Sequence, residues 1–103
     1  MLFNDLDDAH AAPLVEALGT TSLSAFDSPA PRPAWAEEAF EGKLAFLRCL
    51  RDQALPTSVQ DMFVQKSGVE WVVKDVDAGH CPFVSRPEAV VKALGELVEL
   101  FRG

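Results

Sequence analysis

Lys43 to Leu50 reads KLAFLRCL, a nearly continuous apolar run of strand length. Such a run predicts a strand buried on both faces, as in a parallel sheet. A parallel neighbour requires a crossover long enough to bring the chain back, and the sequence that follows supplies one. Thr57 with Gln60 three residues on has the capping-box pattern. Val59, Met62 and Phe63 then form one helical face, and Gly68 is a stop signal. Val69 to Val73, VEWVV, reads as a second strand. Ser85 with Glu88 forms another capping box, and Pro87 suits the first turn of a last helix. Val90, Leu94, Leu97, Val98 and Phe101 make its expected buried side, with Lys92, Glu96 and Glu99 toward water. Gly95 weakens that helix by about 1 kcal/mol relative to alanine. The order β-α-β-α predicts two parallel strands joined by a right-handed crossover.

Ahead of this unit, Asp7 or Asp8 can cap a helix over residues 5–18, with Leu14, Val15 and Leu18 as its apolar face and Gly19 at its end. Pro13 fits there only near a first turn or at a kink. Thr20 or Thr21 can cap a short second helix ending near Phe26. Pro29, Pro31 and Pro33 then impose an extended connector. The expected organisation is a helical piece with its Pro-rich connector over 1–33 and an α/β unit over 34–103. No internal repeat is visible.

Composition narrows the function classes. A chain of 103 residues suits one domain with a modest core. A hydrophobic share of 49% argues against disorder. The net charge of −7 argues against nucleic acid and against anionic membranes as partners. No apolar run approaches the length of a membrane helix. The acidic start, MLFNDLDD, does not look like a secretory signal, so a cytoplasmic setting is expected. Cys49 and Cys81 do not make a disulfide framework, and a bond between them is disfavoured in that setting. His10, Cys49, His80 and Cys81 have no zinc-ligand spacing. No metal and no cofactor is expected.

The topology bears on chemistry. Loops that follow parallel strands leave from the same edge of the sheet, where ligands of open α/β sheets bind. Asp52, after the first strand, and His80, after the second, are expected side by side there. A carboxylate that orients an imidazole is half of an acyl-transfer triad. Asp75 and Asp77 compete for the orienting role, though they lie on the strand and turn of His80 itself. The plainer alternative is a histidine that packs a turn beside a solvated carboxylate. Arg51 precedes Asp52 and can pair with its carboxylate, Arg48 stands within the first strand, and the alternative for either is to reach solvent. Trp35 and Trp71 read as packing residues. Cys81 reads as a small residue beside the histidine, and Cys49 as a buried, inert thiol.

RDQALPTSVQ (Arg51 to Gln60) and DAGHCPFVSRPE (Asp77 to Glu88) carry a resemblance. With their separation, they resemble the C-terminal part of an α/β hydrolase of the methylesterase and hydroxynitrile-lyase-like branch. The shared pattern runs through Cys49, Asp52, Leu55, Pro56 and Gln60, then Gly79, His80, Cys81, Pro82, Phe83, Ser85, Pro87 and Glu88. The resemblance is specific over 43–103 and weaker over 1–40. It implies an α/β-hydrolase fold segment, with two parallel strands, C-terminal helices and the remnant of a helical cap. It implies that Asp52 is the triad acid and His80 the general base of an ester-type hydrolase. It implies no role for Ser85, which the helix cap already explains.

The nucleophile of that family sits on a Gly-x-Ser-x-Gly elbow. None of the serines at 22, 24, 28, 58, 67 and 85 has glycines at those offsets. The chain is therefore expected to be inactive alone and to be part of a longer esterase-like hydrolase, with Met1 internal to it. Its partner in that case is a small ester-like substrate. The other expectation is a non-catalytic interaction module, whose open sheet edge is covered by a partner or a homodimer.

Overall fold

The computed structural model describes residues 1–102; Gly103, the last residue of the expected α/β unit, lies outside them. Two short helices open the chain, α1 (Asp8–Glu16) and α2 (Leu23–Asp27). The Pro-rich connector leads through two single 3-10 turns, Ala34–Ala36 and Glu38–Phe40, to strand β1 (Ala45–Cys49). Helix α3 (Thr57–Lys66), strand β2 (Val72–Val76), a single turn α4 (Pro82–Ser85) and the long α5 (Pro87–Phe101) complete the chain. β1 and β2 pair in parallel, in register from Ala45 opposite Val72 to Cys49 opposite Val76. The β-α-β-α order and the parallel pairing are those expected.

The boundaries differ in instructive ways. Asp7 caps α1, its carboxylate accepting the His10 N–H. The helix is shorter than 5–18, because residues 2–6 form turns instead. Ser22 caps α2, not Thr20 or Thr21. The second strand starts at Val72 rather than Val69, because Gly68 (φ 73°) turns the chain out of α3 and the strand needs that turn completed first.

β1 is not buried on both faces. Ala45 to Arg48 are half-buried and Cys49 alone is buried. Two strands with one helix against each cannot enclose an apolar strand. Arg48 stays near the surface, its guanidinium on both carboxylate oxygens of Asp61 (2.8 and 3.1 Å) and 3.5 Å from Asp75.

Helix faces are rotated from expectation. α3 turns Thr57, Gln60, Val64 and Ser67 inward together with Val59 of the expected face, and leaves Met62 and Phe63 exposed. α5 buries Ala93 and Leu97 and half-buries Val90 and Phe101. Leu94 and Val98 are 53% and 58% exposed, since two strands are too narrow to cover the whole apolar arc. Lys74 on β2 fixes the helix by an ion pair with Glu96 at 2.7 Å. Trp71 packs edge-on to Phe46 with ring centroids 6.4 Å apart, and its indole N–H donates to Ser67 Oγ. Trp35 lies 6.4 Å from Trp71.

Candidate active site

The pairing of β1 and β2 continues beyond the strands. The Leu50 N–H donates to Val76 O and the Arg51 N–H to Ala78 O. The two loops therefore leave the same edge already bonded to each other. Asp52 follows at once on one of them. Its Oδ1 accepts the N–H groups of Ala54 (2.8 Å) and Leu55 (2.9 Å), which curls the loop around the carboxylate. Its Oδ2 lies 2.9 Å from His80 Nδ1. The Asp52 side chain is 4% exposed and that of His80 32%.

Burial works against the charge on Asp52. The Leu55 N–H, the His80 ring and the Ala54 N–H outweigh it and hold the carboxyl below its ordinary value. An ionised carboxylate only accepts hydrogen bonds, so Nδ1 carries the proton and donates it. Nε2 is then the nitrogen that carries the lone pair. An imidazole held in one tautomer by a buried anion has the arrangement that a general base with an orienting acid requires.

The rivals of Asp52 are engaged elsewhere. Asp75 faces Arg48, and Asp77 forms an ion pair with Arg51 at 2.8 Å. Arg51 thus does not pair with Asp52. Its guanidinium also donates to the Asp77 carbonyl (2.9 Å), which braces the histidine loop from the acid loop.

Two residues have roles the sequence patterns mis-stated. Gln60 is no capping-box partner, because α3 starts at Thr57 with Pro56 as its cap residue, one position too early for the pattern. Gln60 is 3% exposed. Its Oε1 accepts the Cys49 N–H, and its Nε2 donates to Cys49 O and Leu55 O. One amide thus holds the end of β1 and the far end of the acid loop. Ser85 likewise does not cap α5, whose cap residue is Arg86 with no side-chain bond. Its hydroxyl donates to Asp5 instead. Helix-start patterns are local, whereas Gln60 bonds the strand and loop before its helix and Ser85 bonds the start of the chain.

Cys49 and Cys81 are free thiols. Burial pushes both upward, and the Asp52 charge adds to it, so neither is an activated nucleophile. Among the described residues no cluster of three or more His, Cys, Asp or Glu side chains is placed to hold a metal ion. No helix among them is long and apolar enough to cross a membrane. A surface depression of about 560 Å³, lined by Gly42, Leu44 and Val69 to Val72 among others, lies at the opposite edge of the sheet. It holds no acid–base pair, so the chemistry points to Asp52 and His80.

Sequence comparison agrees in direction. The chain is 34% identical over 65 residues, 63% of its length, to putative methylesterase 14, chloroplastic, of Arabidopsis thaliana. It is equally similar over 65 residues to putative methylesterase 12, chloroplastic, of the same plant. It is 31% identical over 67 residues to norfluorocurarine synthase 2 of Strychnos nux-vomica. The match takes in 19% of each methylesterase and 25% of the synthase, so the chain spans about a fifth to a quarter of the relatives it matches. No family model matches the chain, and no solved structure matches it. The relatives this chain matches are thus two putative methylesterases and a synthase.

Proposed function

We propose that this chain carries the acid and the base of a Ser-His-Asp triad for ester-type hydrolysis, Asp52 as the acid and His80 as the base. The observation that carries the reading is the 2.9 Å contact between the buried Asp52 carboxylate and His80 Nδ1. The parallel strands and the loops at one edge fit a segment of an α/β-hydrolase fold, with the helical residues 1–33 as part of a cap. In the reaction, His80 Nε2 takes the proton of a serine hydroxyl as that oxygen attacks the ester carbonyl. Asp52 stabilises the imidazolium so formed. The same proton then passes from Nε2 to the departing alkoxide. Such proton transfer contributes roughly 10²–10⁴ in rate. No Gly-x-Ser-x-Gly elbow occurs among the 103 residues. The serine and its oxyanion hole therefore belong to further sequence, and these residues alone are inactive.

A second reading is a non-catalytic module that binds a partner or a second copy. Its support is the exposed apolar arc of α5 and the open edges of a two-stranded sheet. One experiment separates the two. The protein that carries these residues is isolated from its source and treated with a fluorophosphonate, which labels activated serines. Labelling that His80→Ala abolishes and Asp52→Asn slows by about 10³–10⁴ supports the triad. Absence of labelling in the intact protein transfers the case to the binding module.

A further inference from the structure

The loops of Asp52 and His80 are joined by a third segment, from the start of the chain. Asn4 Nδ2 donates to the Arg51 carbonyl (2.9 Å), one residue before Asp52. Asp5 Oδ2 accepts the Gly79 N–H (2.8 Å), one residue before His80. The same oxygen accepts the Ser85 hydroxyl at the other end of the histidine loop. Among the described residues, these three bonds are the hydrogen bonds that tie residues 1–31 to the α/β unit.

The fit is close. A Cβ on Gly79 would lie 2.8 Å from both Asn4 Oδ1 and Asp5 Oδ1, so a larger residue there would push both side chains from their present places. Asn4 Oδ1 is buried there without a hydrogen-bond partner. An orphaned buried acceptor is unfavourable and persists only where the rest of the contact demands it. Here Nδ2 is committed to Arg51, which turns the amide oxygen against Gly79. Burial opposes the charge on Asp5, but the Ser85 hydroxyl, the Gly79 N–H and the nearby Arg51 guanidinium outweigh it and keep the carboxyl ionised.

We propose that Asn4 and Asp5 are positioning residues, a two-sided clamp that holds the acid loop and the histidine loop at the spacing the Asp52–His80 bond requires. The proposal rests on the triad reading given above. Neither side chain touches reacting atoms. Asn4 sets the carbonyl before the acid, Asp5 sets the amide before the base, and adjacency in the chain couples the two.

The test is NMR on the full 103-residue chain, reading the His80 Nδ1–H proton, with the β1 and β2 amides as a control for general loosening. The wild type is expected to show an Nδ1–H signal that Asp52→Asn shifts or removes. Asn4→Ala is expected to speed its exchange with water about tenfold, the effect of one net hydrogen bond on local opening, and Asp5→Ala by more, since it removes two bonds to a carboxylate, while the sheet amides stay protected. Asp5→Asn keeps an acceptor oxygen in place and is expected to restore slow exchange. Either alanine variant decides the matter if the other does not fold, and if neither folds Ser85→Ala, which removes one donor to Asp5 and keeps both clamp side chains, decides it by the same faster exchange. A signal that responds to Asp52→Asn but not to the Asn4 and Asp5 variants overturns the clamp and leaves the triad pair standing. A wild type with no Asp52-dependent signal overturns the triad reading, and the clamp falls with it.

Discussion

Asp52 is a charge that the fold has to defend, since its side chain is 4% exposed. The surrounding N–H groups and His80 hold its carboxyl below the ordinary value. The sign of its pH effect follows. A group whose folded pKa is depressed stabilises the fold fully above its unfolded value, and that stabilisation is lost as pH falls through the folded value. The urea midpoint of the wild type is therefore expected to hold steady above the ordinary value of 3.8 and to fall below it. Asp52→Asn should start lower and show a shallower fall across the same window, because the amide does not titrate. Equal slopes for the two proteins would mean that Asp52 gains nothing from its partners. The nearness of Asp52 and His80 was legible in the sequence because strand order alone brings those loops together. The roles of Gln60 and Ser85 were not. Each sits in a local pattern that also describes a helix start, and only the folded chain supplies the Cys49 backbone or the Asp5 carboxylate as the better partner.

At the scale of elements, periodicity located α3, α5 and both strands but misjudged which sides they turn inward. The apolar arc of α5 runs from Val90 through Leu94 and Val98, yet β2 covers only the part centred on Ala93 and Leu97. A hydrophobic pattern records the surface a helix is made to bury, not the surface available beside it. Val72 to Val76 was displaced for a related reason, since VEWVV is apolar enough for a strand but its first residues complete the turn out of α3. Gly95 gives this scale its prediction. It lies mid-helix in α5, exposed, and an added Cβ would meet nothing within 4 Å. Gly95→Ala should therefore stabilise the chain by about 1 kcal/mol through helix propensity and raise Tm by roughly 4–8 °C. Thermal unfolding followed by circular dichroism reads this directly. A fall in Tm would mean that the open side of α5 is covered in solution, where an extra methyl collides.

For the whole molecule the deciding quantity is surface. A monomeric protein of 11.2 kDa is expected to expose about 5,700 Å². This chain exposes 7629 Å². The excess, about 1,900 Å², is more than twice what one partner contributes to a standard protein interface. The radius of gyration agrees, 15.7 Å against about 13 Å for a closed domain of this length. The buried apolar residues are Cys49, Val76, Ala78, Ala93 and Leu97, and no large side chain among them is fully enclosed. Two strands and their helices thus leave apolar surface on α5, α3 and the sheet edges that a closed fold would cover, whether by more of the same chain or by another. Both functional readings need that cover, and both make the same physical prediction. In isolation the 103 residues should bind a hydrophobic dye and associate as concentration rises, with sedimentation velocity giving a weight-average mass above that of the monomer. The charge of −7 opposes this, so added salt should strengthen the association by screening repulsion while leaving the apolar contact intact. A dye-negative monomer at all concentrations, with a cooperative unfolding transition, would show instead that the thin core is sufficient and that the exposed arc of α5 has no partner to find.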